Sequence, residues 1–308
     1  MKLFEIKSNI PLDVIRFIDT FVYIKLNNET IRDAVKLYFE VKEKCIFLYG
    51  HIEYWNTSKV TDMSKLFKDM SEEIPDISRW NVKNVTNMSC MFSRAEKFNS
   101  DISKWNVSNV TNMFGIFSYA INFNSDISNW NVNNVTNMDS MFFDAKSFNS
   151  DIAQWNVSNV TNMSHMFYQT TNFNRNISNW NVSNVTNMSL MFANAINFNG
   201  NISNWNVGNV KDMTYMFYNA IKFNSDISNW NVSNVRNMSQ MFFAARNFNS
   251  NISQWNVTNV NNMSKMFNGA VNFNSDLSQW NVSNVENMSQ MFFNCSIKQK
   301  HKPRFLIE

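Results

Sequence analysis

A chain that performs chemistry gathers reactive side chains at one place, as a nucleophile beside a base or as ligands around a metal. The three histidines here, His51, His165 and His301, fall in unrelated surroundings. His165 shares its place in the pattern described below with Cys90, Gly115, Ser140, Leu190 and Tyr215, a variability that suits an exposed residue. Regularly spaced carboxylates, Asp76, Asp101, Asp126, Asp151, Asp226 and Asp276, could line up as calcium ligands. Asn176, Asn201 and Asn251 fill the same column and the glycines of calcium-binding repeats are missing, so turn capping is expected instead. Cys45, Cys90 and Cys295 form no C-x-x-C pair and read as small buried residues in a reducing compartment. The tryptophans and methionines could stack sugars or line a soft groove, but their strict period makes them core. No catalytic residue, cofactor or metal is nominated, and the expectation is a protein that is not an enzyme.

The spacing that disperses these groups also organises the chain. Trp55, Trp80, Trp105, Trp130, Trp155, Trp180, Trp205, Trp230, Trp255 and Trp280 follow one another at 25-residue intervals without one insertion. The unit from Asp101 to Ser125 reads [DN]-I-S-x-W-N-V-x-N-V-x-[ND]-M-S-x-M-F-x-x-A-x-x-F-N-S, and recurs nearly unchanged from Asp76 to Ser275. Within it, Ile102 to Val107 alternates apolar and polar residues and predicts a short strand. Val110, Met113, Phe117 and Ala120, spaced by three or four, predict the inner stripe of a helix, with Asn109 and Thr111 suited to its N-cap. Phe123 plugs the coil and Asn124 serves the turn.

One strand and one helix of this size cannot bury their apolar faces alone, whereas stacked neighbours make continuous columns. The expected fold is α/β: a right-handed solenoid of about ten coils, one short strand and one short helix per coil, with a helical N-terminal cap. At about 4.8 Å per coil the stack is roughly 45 Å long.

Ile102-x-x-Trp105-x-Val107 has the spacing of the L-x-x-L-x-L strand of leucine-rich repeats, with Asn109 standing one residue early for the later Asn of that family. More closely, W-N-V-S-N-V-T-N-M-S-x-M-F resembles the 25-residue BspA-like repeat of bacterial surface proteins, mycoplasma lipoproteins and giant-virus proteins. The resemblance covers about residues 50 to 295. It implies a leucine-rich-repeat-like fold and, in surface members, adhesion to host or matrix proteins. Those members carry a signal or lipid anchor, which is not expected here, and the Asn- and Lys-rich vocabulary looks most similar to the intracellular, viral-type members.

Three segments are expected: residues 1 to 50 as a helical cap, 51 to 295 as the solenoid, and 296 to 308 as a basic tail. Thr30 to Val41 reads as an amphipathic helix with a Thr30/Asp33 variant of the capping box. Phe305, Leu306 and Ile307 are expected to fold back as a minimal cover. The N-terminus carries Glu5, Lys7, Asp13 and Arg16 where a secretory signal needs an unbroken apolar stretch, and no run of about 18 apolar residues spans a bilayer. Net charge is +3 with mixed signs, which gives no nucleic-acid footprint. The expectation is a soluble, monomeric protein of the cytoplasm, the host cytoplasm if viral, with no membrane or nucleic-acid partner. The N-x-[ST] sequences, such as Asn106-Val107-Ser108, are read as by-products of the repeat.

The leading functional expectation is a scaffold for protein–protein interaction with an unspecified protein partner. Its candidate surface, placed on the concave face by analogy with leucine-rich repeats, is the column Lys104, Asn129, Gln154, Asn179, Asn204, Asn229 and Gln254 beside the column Asn106, Asn131, Asn156, Asn181, Asn206, Asn231 and Asn256. The second column is also readable as a stacked structural ladder, because it never varies. Two alternatives stay open. Asn9 to Ile18 faintly resembles the opening of an F-box, which implies a ubiquitin-ligase adaptor; secreted members of the BspA-like family imply an adhesin.

Overall fold

The computed structural model describes residues 23–304, so the F-box-like stretch and Phe305 to Ile307 lie outside the described residues. Among the described residues two helices come first, α1 (Thr30–Glu40) and α2 (Lys42–Tyr49). α1 falls where the amphipathic pattern put it, and buries Ile31, Ala34 and Val35. Its capping differs from the expected box. Asn27 Oδ1 accepts the N–H groups of Glu29 and Thr30, and the Thr30 hydroxyl turns back to bond the N–H of Asn27. α2 ends at Gly50, whose φ of 77° is the left-handed conformation that favours glycine.

Ten coils of 25 residues follow, and among the described residues none contains an α-helix or an extended strand. The predicted strand, residues 102 to 107, is a corner of two turns, closed by Trp105 N–H to Ile102 O and Val110 N–H to Val107 O. The predicted helix, residues 110 to 120, is a chain of turns. N–H groups of Ile116, Ser118 and Ala120 bond three residues back, while those of Met113, Gly115, Phe117 and Tyr119 cross to Asn137, Asp139, Met141 and Phe143 of the next coil. Such crossings repeat, four per junction, from 2.6 to 3.2 Å, alongside parallel bridges from Asp62–Asn87 to Asn262–Asn287.

Coil thickness explains why turns replace helices. Packed helix axes stand about 8–10 Å apart. Neighbouring rings of the Phe117 column are only 5.5–5.8 Å apart, and a coil that thin cannot hold a helix. A helix would also spend its N–H groups internally and leave none to join coils. The apolar spacing was read correctly as an inner stripe; the backbone that delivers it is a turn chain with φ near +55° at the 115 column and between 52° and 73° at the 119 column.

The core is a set of parallel columns. Indoles from Trp80 to Trp280 are 3–5% exposed, and each donates Nε1–H to the carbonyl of the isoleucine 28 residues earlier, as from Trp155 to Ile127 at 3.1 Å. Phe117 and Phe123 stack at 3.8 Å within their coil. Ring spacing along the stack grows from the Phe117 column to 6.3–6.5 Å between Trp155 and Trp280.

Candidate interaction face

The structure sets Lys104, Asn129, Gln154, Asn179, Asn204, Asn229 and Gln254 exposed on the turn corner beside the tryptophans. Asn106, Asn131, Asn156, Asn181, Asn206, Asn231 and Asn256 are exposed there too. Both columns lie on a turn corner, and the short strand to which they were assigned is not formed. The Asn106 column also does not bond from coil to coil. Asn106 Oδ1 accepts the N–H of Ser108 at 3.1 Å within its own coil, and its equivalents do likewise. This is an Asx turn, in which a short side chain replaces a backbone acceptor. Ladders of asparagine exist in two other columns. Asn134 Nδ2 reaches Ser108 O at 2.7 Å, and Asn149 N–H reaches Asn124 Oδ1 at 2.7 Å.

The carboxylate column caps turns, as expected. Asp76, Asp101, Asp126, Asp226 and Asp276 each accept the N–H of the serine two residues on. Hydrogen bonds from these serines hold all five carboxyls below the usual range. Asn176, Asn201 and Asn251 accept the same bond without a charge.

Variation between coils is marked on the ladder, at the columns of residues 115, 118 and 119. Here the side chains stand outward, mostly half-buried. Tyr119, Phe143 and Tyr168 form a run with ring separations of 5.0 and 4.5 Å. A second group holds Tyr215, Tyr218 and Phe243, with separations of 5.6 and 4.8 Å. Arg94 lies over the Tyr119 ring at 5.3 Å. Beside the first run, His165 Nδ1 stands 3.6 Å from Asp139 Oδ1, and Lys146 Nζ stands 3.6 Å from Asp144 Oδ1. Burial pushes Asp144 up, more than Lys146 lowers it. At Asp139 burial acts in the same sense, but His165 with the hydroxyls of Ser140 and Ser164 brings the carboxyl below its usual range. Among the described residues no cluster of histidine, cysteine, aspartate and glutamate could hold a metal ion, and no helix is long and apolar enough to cross a membrane.

The family described as "Mycoplasma protein of unknown function, DUF285" matches residues 36–155, 140–242 and 221–301, which together run across nearly the whole repeat array. The chain belongs to this family. That agrees with the BspA-like resemblance carried by the W-N-V-S-N-V-T-N-M motif. No protein with a curated description matches the chain. Among solved structures, the Drosophila Toll–Spatzle complex shares 16% identity over 66% of this chain and 34% of that one, with a TM-score of 0.23. The functional domain of InlJ from Listeria monocytogenes shares 11% over 91% and 64%, at 0.24. The TLR13–ssRNA13 complex shares 9% over 89% and 53%, at 0.21. The chain thus spans about a third of the Toll-complex chain and about half of the TLR13 chain. Overlaps this low carry neither fold nor function across.

Proposed function

We propose that this chain is a non-catalytic scaffold for a protein partner, and that the partner lies along the ladder face. The observation behind this reading is the contrast between columns. Core columns barely change over ten coils, while the outward residues of the ladder differ from coil to coil and, unlike those of the other variable columns, include the aromatics Tyr119, Phe143, Tyr168, Tyr215, Tyr218 and Phe243. Rigid, partly exposed aromatics with polar neighbours are the residue types that anchor protein interfaces. Repeat proteins commonly use such a surface, because the stack holds it without requiring any one side chain to be conserved.

The partner would be captured by proximity labelling in the native cell and then tested for binding against two variants. Phe143→Ser with Tyr168→Ser should weaken capture at least about tenfold, the loss expected of interface anchors, while the melting temperature moves little. Gln154→Ala with Asn179→Ala should leave capture unchanged. The reverse outcome would move the binding surface to the turn corner. The resemblance to intracellular, viral-type members of the BspA-like family supports placing the encounter inside a cell, and imaging of the tagged full chain checks that location.

A further inference from the structure

The ladder segment is polar in a way that ordinary strands are not. At all nine junctions the N–H groups of the 113, 115, 117 and 119 columns point toward the following coil and the carbonyls of the 112, 114, 116 and 118 columns toward the preceding one. The 111 column at the start of the ladder bonds in the opposite sense, as from Thr136 N–H to Thr111 O at 2.9 Å. The two ends of the stack are therefore unlike. At the C-terminal edge the N–H groups of Met288, Gln290, Phe292 and Asn294 meet no acceptor among the described residues. At the N-terminal edge the equivalent acceptors are the carbonyls of Asp62, Ser64, Leu66 and Lys68. Among these, and counting only donors from the described residues, Ser64 O alone receives one, Arg32 Nη1 at 2.6 Å. The apolar surface is equally uneven. Phe293 is 60% exposed and Phe292 half-buried, whereas Phe67 at the opposite end is sealed.

We propose that the C-terminal edge of the last coil docks the N-terminal edge of a second copy of this chain, head to tail, and that α1 guards the acceptor edge. What binds such a donor row is visible nine times within the molecule: the carbonyl row of another coil. An ordinary β-strand presents N–H and C=O alternately along each edge, so against this edge half of its groups would set donor against donor. Two C-terminal edges meeting face the same mismatch. The fit is to the first coil alone, Met288 to Asp62, Gln290 to Ser64, Phe292 to Leu66 and Asn294 to Lys68, with Phe292 continuing into the Phe67 column. The cap stands in the way. Asn28 Oδ1 accepts the N–H groups of Thr61 and Asp62 at 2.8 and 3.1 Å, and Arg32 adds an ion pair to Asp62 at 3.1 Å. Being tethered, the cap competes at high effective concentration, and its release governs association. A contact of this heterologous kind does not close on itself, so it builds chains rather than dimers alone.

Sedimentation velocity on the full chain tests this. Asn28→Ala with Arg32→Ala should give a sedimentation coefficient that climbs with protein concentration well beyond the wild type, and adding Phe292→Asp should return it to the monomer value. Association that survives Phe292→Asp, or a folded double variant that stays monomeric at every concentration, overturns the proposal. Should the double variant unfold, two single variants, Asp69→Cys and Asn294→Cys, are mixed under mild oxidation. Residues of this column touch between coils, as Asn219 Nδ2 and Asn194 Oδ1 do at 2.9 Å. A disulfide-linked pair several-fold above either variant alone is expected, and its absence counts against head-to-tail docking. Failure here leaves the ladder-face reading untouched, since no ladder-face aromatic from coils 3 to 8 takes part.

Discussion

At the scale of single residues, the unusual demand is left-handed backbone. Both the 115 and the 119 columns have positive φ in every coil, yet only Gly115 and Gly269 are glycine. A residue with a Cβ pays about 1–2 kcal/mol to sit there, and the return is an inter-coil hydrogen bond from its own N–H, as from Lys265 to Ser289 O at 2.9 Å. No Val, Ile or Thr occupies either column, in keeping with the steric exclusion of β-branched residues from this region. Lys265→Gly should therefore raise stability by about 0.5–1 kcal/mol, and Lys265→Val should lower it by about 1–2 kcal/mol, both read by thermal denaturation. The carboxylate column makes a second residue-scale prediction. Its folded-state carboxyls titrate below the unfolded value of about 3.9, so their contribution is complete above that pH and is lost as pH falls toward the folded values. Replacing Asp76, Asp101, Asp126, Asp226 and Asp276 by Asn keeps the turn bonds, as Asn176 already does, and should flatten the fall in melting temperature as pH drops below about 5. An unchanged acid profile would mean that other carboxyls govern it.

At the scale of the element, the coil is the unit that folds. Trp155 fills its interior and satisfies the Ile127 carbonyl, so Trp155→Ala should cost about 3–5 kcal/mol. His165→Ala, on the ladder surface, should stay within about 0.5 kcal/mol. Tryptophan emission in the parent should be blue-shifted and resistant to quenching, as buried indoles require. The sequence made the coil length, the inward columns and α1 legible, because each follows from where apolar residues recur. It hid the backbone path. Val110, Met113, Phe117 and Ala120 have helical spacing, and nothing in those residues says that Gly115 and Tyr119 reverse φ. The signal was the absence of β-branched residues from two otherwise variable columns. The ladder face proposed for the partner was not anticipated for the same reason. With a helix drawn over residues 110 to 120, the variation at His165 looked like a tolerated outer surface, and attention went to the invariant Asn106, which the structure spends on its own turn.

At the scale of the whole molecule, stability is a sum over like junctions. Deleting one full period, Asp151 to Arg175, should leave a folded chain with the circular dichroism of the parent. Deleting 12 residues breaks the columns and should not. The same regularity fixes how the protein yields when pulled by its ends. Every coil has 25 residues, and each releases about 85 Å of extended chain while surrendering about 5 Å of stack. Single-molecule force spectroscopy should record evenly spaced ruptures about 80 Å apart, where a cooperative globule would give one long drop. The last coil, bonded to a neighbour on one side only, should peel first, and the end held by Asn28 and Arg32 should give way last. Between those two ends the stack would behave as a ratchet of near-identical teeth, lengthening in fixed steps under load and taking up the slack coil by coil when the tension is released.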